Sequence, residues 1–413
     1  MMAKAFKRWT SPSASRATLR PWYIAHALAA FLTTLTSNAV YFFAGYELHT
    51  SVQVRLAMAA VAGLIYGLTA FVGGRMVDKF GRRRVGSSMA IACIAICFLG
   101  AEAVSFHNLA GLFIFLVLLN GCLGPLWPAI ESAIARCPGN MSLSRRMALY
   151  NLNWSGAGFI AVCVLGTLAS WLSWAGVFFI AAVMSIVVWF IIARRSDPQI
   201  VNAASPVAAI RKDQRRNESK LQASDPRKIL HIAWLSNMLA FVAANTVTPF
   251  MPTITLALGV KSYALATALA SIASLACLGG FIITIFWTSW HYQIRWTIIP
   301  FLTLTVGAVS MLLSQSPLMY AFTQILYGLS VALLYSGSIY YSLHLGSGAA
   351  AKAGIHEGLI GAAAALGPAL IAVTGAPEAV EPKAWALLLV LGVGGSLMSY
   401  WARRAYNGKR AER

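Results

Sequence analysis

Acidic residues are scarce in this chain, with 12 Asp and Glu among 413 residues, and only 11% of positions carry charge of either sign. A soluble domain has about twice that charged fraction, so a water-exposed globular fold is excluded. Also missing are the short patterns that place catalytic chemistry: no phosphate-cradling glycine loop, no H-E-x-x-H metal pattern and no G-x-S-x-G nucleophile turn. These absences argue against an enzyme, and no cofactor or metal is implied. The cysteines Cys93, Cys97, Cys122, Cys137, Cys163 and Cys277 lie in apolar segments or at their cytoplasmic ends, with no paired framework in exterior loops. Disulfides are therefore not expected to hold the fold. Cys93 and Cys97 stand one helical turn apart, which suits a soft metal and equally suits two small buried hydrophobes.

What the chain has in abundance is apolar length: 59% of residues are hydrophobic and the mean hydropathy is +0.69. Stretches able to cross a hydrocarbon core of about 30 Å, roughly 20 residues each, fall at 22–45, 54–73, 85–104, 109–134, 147–171 and 174–193. A second set falls at 229–250, 263–288, 296–314, 318–344, 355–375 and 383–402. The pattern predicts an all-α membrane protein of twelve transmembrane helices in two pseudo-symmetric six-helix halves. The divisions expected are a basic N-terminus at 1–21, one half at 22–193, a linker at 194–228, a second half at 229–402 and a tail at 403–413. The linker loses its apolar character and gathers Arg211, Lys212, Arg215 and Arg216, as a solvated connection does.

A net charge of +20 would suit a nucleic-acid partner, but its distribution argues for topology instead. With both termini in the cytoplasm, 29 of the 32 Lys and Arg lie on that side, leaving Arg55, Lys261 and Lys383 outside. Such an excess in short loops sets orientation. The expectation is a multi-pass, monomeric protein of the bacterial inner (plasma) membrane, with the lipid bilayer and no nucleic acid as its surroundings. The basic segment 1–21 also has the composition of an organelle transit peptide, although orientation alone calls for a basic flank there.

Asn38-Ala39-Val40-Tyr41-Phe42-Phe43 in the first span parallels Asn245-Thr246-Val247-Thr248-Pro249-Phe250 in the seventh, an offset of 207 residues that also carries Gly121 onto Gly328. Parallel repeats of this kind place a solute site near mid-membrane between the halves.

Between spans 2 and 3 runs Gly74-Arg75-Met76-Val77-Asp78-Lys79-Phe80-Gly81-Arg82-Arg83-Arg84. Its glycines allow a tight turn and close helix approach, and Asp78 is a lone acid among five bases. The run resembles the signature loop of the major facilitator superfamily, G-x-x-x-D-[RK]-x-G-R-[RK]-[RK]. The resemblance implies that Gly74, Asp78, Gly81 and Arg82 form a conformational latch, with Asp78 engaging the start of span 11 in the other half, since helix N-termini favour anions. Arg83 and Arg84 are explained by topology. The counterpart loop, from Gly279-Gly280 through Trp287 and Trp290 to Arg295, lacks the acid and most bases, so the latch should be one-sided. The superfamily's proton-driven drug exporters carry an arginine in span 4, where Asn120 stands here, and a Gly-Pro signature in span 5, which here reads Gly156-Ala157-Gly158-Phe159-Ile160. Both departures weaken a drug-antiporter reading.

Ionisable groups within spans mark a solute or proton path by default. Glu131 follows Pro125 and Pro128 in span 4, and His356-Glu357 opens span 11. These three are the proton-coupling candidates, although both acids sit toward helix ends where a wetted interfacial acid is the alternative. Glu47, Glu102 and His49 read as solvated boundary residues. Polar and aromatic residues suited to orient a small organic solute are Asn38, Tyr41, Asn120, Trp127, Asn153, Trp154, Asn245, Gln324, Tyr327 and Tyr335, though amides also serve as interhelical glue. With no Arg or Lys clearly inside a span, a strongly anionic solute is disfavoured. The function expected is secondary active transport by alternating access, with protons as the coupling ion; the alternative is a transporter-like sensor or assembly factor.

Overall fold

The structure, a computed structural model, describes residues 14–137, 141, 143–195, 226–287, 289–291, 293–345 and 350–407. Most of the expected linker, and both chain ends, lie outside the described residues.

In hydrocarbon a backbone N–H or C=O finds no water, so a spanning segment must close its hydrogen bonds within a helix. Every regular element among the described residues is helical. They are α1 (Ala14–Tyr46), α2 (Val52–Phe80), α3 (Arg82–Ser105) and α4 (Leu109–Arg136). The run Leu143–Ala193 breaks at Ser173, where φ is 67° and ψ 167°. At about 1.5 Å per residue the run is more than twice the hydrocarbon thickness, so it crosses as two helices, α5 before Ser173 and α6 after it. α7 (Pro226–Val247) continues through a tight turn at Thr248–Phe250 into Met251–Ala257, where Pro249 supplies no backbone donor. α8 comprises Tyr263–Ala270 and Ile272–Phe286; α9 (Arg295–Leu312), α10 (Pro317–Leu345), α11 (Ala350–Ala372) and α12 (Val380–Asn407) follow. Eleven of these runs are long and apolar enough to cross a membrane, and the break at Ser173 gives one of them two crossings. The protein is thus an integral, multi-pass helical membrane protein. Leu68, Phe98, Phe179, Leu366 and Val393 are exposed on its flanks, where lipid replaces protein.

Helix ends are set by local chemistry. Ser51 Oγ accepts from Val54 N at the start of α2, Asn108 Oδ1 from Gly111 N at the start of α4, and Ser262 Oγ from Leu265 N at the start of α8, each satisfying an otherwise orphaned donor. Gly81 separates α2 from α3 with φ of 92°, a conformation that side chains with a Cβ rarely adopt.

The halves meet most closely along α2 and α11. A Cβ on Gly67 would lie 3.1 Å from the carbonyl carbon of Gly361, and one on Gly74 would lie 2.7 Å from Ala350 O. Small residues are what let membrane helices approach backbone to backbone. Gly361→Leu is expected to push α2 and α11 apart and lower stability by about 1–3 kcal/mol, the usual cost of overpacking. The readout is the apparent Tm in detergent, and an unchanged Tm would mean that the two backbones are not in contact.

Candidate functional site

Between the halves lies a cavity of about 290 Å³, at the small end of the range for organic-ligand sites. Seven of the sequence candidates line it: Asn38 and Tyr41 on α1, Asn120 and Trp127 on α4, Trp154 on α5, Asn245 on α7 and Tyr335 on α10. Trp154 and Tyr335 stack across the halves at 5.2 Å with 12° between planes, and Phe241 approaches Tyr335 at 5.9 Å.

The other three candidates lie outside the lining. Asn153 Nδ2 donates to Tyr23 O at 3.1 Å and ties α5 to α1. Gln324 donates to Leu269 O at 2.9 Å and accepts from Ala273 N at 3.2 Å, so it satisfies the backbone at the interruption in α8. Tyr327 is buried, its backbone against Gly307 of α9.

Sequence reasoning passed over Thr33, Thr34, Ser37, Tyr66, Tyr150 and Thr248, which also line the cavity. A signal for some of them was present. The 207-residue offset pairs Tyr41 with Thr248 and Tyr150 with Glu357, and all four line the cavity.

Glu357 and Glu131 are the acids at this cavity. Neither is at a wetted helix end: Glu131 is fully buried and Glu357 is 4% exposed. Glu357 lines the cavity, and its carboxyl lies within hydrogen-bonding reach of Glu131 from the opposite half. Tyr150 donates to Glu131 Oε1 at 2.9 Å, and Tyr66 donates to Glu357 Oε2. Glu131 Oε2 has no donor among the described residues. His356 Nε2 stands 3.7 Å from Glu357 Oε1, and its Nδ1 is 2.9 Å from Ser338 Oγ. On the other side of Tyr150, buried His26 stacks on that ring at 3.8 Å.

The halves touch at both ends of the cavity. At the end with the signature loop, Ala351 N, in the first turn of α11, donates to Asp78 Oδ2 at 3.0 Å. The close approach of Gly74 to α11 puts Asp78 within reach of that helix start. Arg82 is buried and donates from Nε to Ser132 Oγ on α4 at 3.0 Å. Asn151 Nδ2 also crosses between halves, to Ser336 Oγ at 3.2 Å.

At the opposite end, Tyr46 donates to Val260 O at 2.9 Å, and Arg55 Nε to Pro249 O at 2.9 Å. Arg55, expected at the exterior side, is thus a buried group in the first turn of α2 that grips the turn after α7. Glu47 is likewise engaged, not merely solvated. Its Oε1 accepts from Tyr263 in the second half at 2.5 Å and from Trp174 at 3.0 Å. Losing one such charge-assisted bond costs about 1 kcal/mol where it is partly solvated, a factor of about five in a population ratio. In a chain whose native cysteines are replaced and Thr248→Cys installed, Tyr263→Phe should speed labelling by an impermeant thiol reagent from that side by about this factor. An unaltered rate would show that the Glu47 contact does not hold this end.

Comparison with known proteins adds the following. A family model described as Major Facilitator Superfamily matches residues 22–372. No curated protein matches in sequence. Among solved structures, the partially occluded inward-open conformation of the xylose transporter XylE from E. coli is similar with a TM-score of 0.71 and 14% identity, over 94% of this chain and 98% of that one. A POT family transporter in complex with a thioalcohol-conjugated peptide gives 0.72 and 12%, over 94% and 96%. A D-xylose-proton symporter gives 0.67 and 14%, over 92% and 96%. At such identities these likenesses establish the fold.

Proposed function

The chain belongs to the Major Facilitator Superfamily, and on that premise we propose that this membrane transporter is a proton-coupled secondary carrier of a small organic solute, working by alternating access. The observation that carries the proposal is the pair Glu131 and Glu357, in contact across the two halves beside the cavity. Two carboxylates at about 4 Å would repel by about 4 kcal/mol even at an effective dielectric of 20. Among the described residues, the groups that touch them include no Lys or Arg. A proton shared between the two carboxyls removes the repulsion and gives the orphaned Glu131 Oε2 its partner. Because the carboxyls belong to opposite halves, rocking the halves apart separates them and alters their hold on that proton. Proton binding and solute access are thereby tied to the same movement. The groups facing the pair are Tyr66 from α2, Tyr150 from α5, Tyr335 from α10 and His356 from α11 itself, with His26 of α1 behind Tyr150. Two of the similar solved structures are described as proton symporters, both for xylose.

In this reading Gly74, Asp78, Gly81 and Arg82 are the latch at the cytoplasmic end, and Glu47, Arg55 and Tyr46 hold the exterior end. In the same reading both termini are cytoplasmic, which the 29 to 3 split of Lys and Arg supports, in a bacterial inner membrane. Each chain carries a whole cavity, so the working unit is a monomer.

The test is thermal stabilisation of the purified protein by a broad solute library, since a ligand of the folded state raises apparent stability, followed by flux of each stabilising solute into proteoliposomes. Saturable movement supports the proposal. A well-folded protein that no solute stabilises and that moves none would favour the sensor or assembly-factor reading.

A further inference from the structure

We infer that the cavity recognises a small organic monocation, an ammonium group carried on an aromatic or apolar body. This rests on the transporter reading and narrows its substrate class.

The charge and polar groups of the lining point to this class. Asn38, Asn120 and Asn245, from α1, α4 and α7, each donate an amide N–H to the carbonyl one turn back in their own helix: Thr34 O at 2.9 Å, Leu116 O at 2.8 Å and Phe241 O at 2.9 Å. A group bound to a carbonyl oxygen must be the amide nitrogen, so each side chain keeps its oxygen and its second N–H for a ligand. Thr33 and Thr248 commit their hydroxyl hydrogens in the same way, to Ala29 O and Ala244 O. The lining offers amide and hydroxyl groups from three helices, and its charged group is the carboxyl of Glu357, with no Lys, Arg or His among the described residues that line it. An anion would meet that carboxyl without a countercharge. An ammonium, with three donors and no acceptor, matches it.

The rest of the cavity fits the remainder of such a molecule. The stacked Trp154 and Tyr335, with Phe241 beside them, offer flat apolar area and π faces that attract a cation. Charge balance agrees. With one proton shared between them, Glu131 and Glu357 carry a net charge of −1, which a bound monocation neutralises.

Three compounds of nearly equal size separate the possibilities: 2-phenylethylammonium, 2-phenylethanol and phenylacetate. Their binding to the full-length protein in detergent is measured by calorimetry. Wild type should bind the ammonium more than about tenfold tighter than the alcohol, as a charge-assisted hydrogen bond implies, and phenylacetate should show no saturable binding. Glu357→Gln should abolish the ammonium's advantage while leaving the alcohol's affinity in place. Should that variant fail to fold, the wild-type series alone decides, and Asn245→Leu, which removes one oxygen, should selectively weaken the ammonium. Equal affinity for ammonium and alcohol, preference for phenylacetate, or no ammonium binding by cooperatively folded protein would each overturn the inference. Ammonium binding without flux would sink the transporter reading but leave this one standing. Proton-coupled flux of another solute, with no ammonium preference, would do the reverse.

Discussion

Glu131→Gln should stop uphill, proton-driven solute accumulation in proteoliposomes, bringing it to the level of protein-free vesicles. The glutamine keeps the size of the side chain and can still accept from Tyr150, which donates to Glu131 Oε1 at 2.9 Å. It has no proton to release when the halves part. Exchange of labelled solute between the two sides needs no net proton transfer and should persist, because Glu131 is not among the cavity-lining residues. Loss of accumulation with retained exchange is the signature of uncoupling, and it separates a coupling acid from one that only supports packing. If exchange vanished together with accumulation, and the variant's Tm fell, Glu131 would be structural.

Asp78→Asn should shift the conformational balance toward a form open at the signature-loop end, and slow cycling. Asp78 Oδ2 is held at 3.0 Å by the backbone N–H of Ala351 at the start of α11. A carboxylate there gains about 1 kcal/mol from the unsatisfied donors of the first turn. Asparagine can still accept that bond but brings no charge, so the population ratio should move by about fivefold. Distances between spin labels on α2 and α11 near that loop would report the shift directly. An unchanged distance distribution with normal flux would remove Asp78 from the latch. Because Asp78 is exposed, the variant should fold normally, which keeps the result interpretable.

The helical membrane architecture was legible because hydrocarbon leaves the chain little choice: segments of the right length and apolarity had to be helices. The edges were legible in part. The division at Ser173 was legible, since the expected spans 147–171 and 174–193 part there, whereas the turn at Thr248–Phe250 depends on how the chain packs.

In the cavity, residues such as Asn38, Asn120 and Trp127 stood out because a polar or indole group inside an apolar span needs a reason. Tyr66 and Tyr150 did not, since a tyrosine in such a span is ordinarily core, and only the partner carboxyl reveals its use. Gln324 was misleading for the opposite reason. An amide that mends a break in a neighbouring helix looks the same in sequence as one that meets a solute. Glu47 reads as a boundary residue until Tyr263, 216 residues away, is brought against it. Long-range pairings of this kind have no local pattern.

The central claim, that one proton held between the halves is linked to solute movement, is tested most directly by trapping a pH indicator inside proteoliposomes and imposing a solute gradient with no pH gradient. The account predicts saturable, solute-dependent proton movement with the wild-type protein and none with Glu131→Gln. Solute flux through the wild-type protein with no proton movement at all would contradict it.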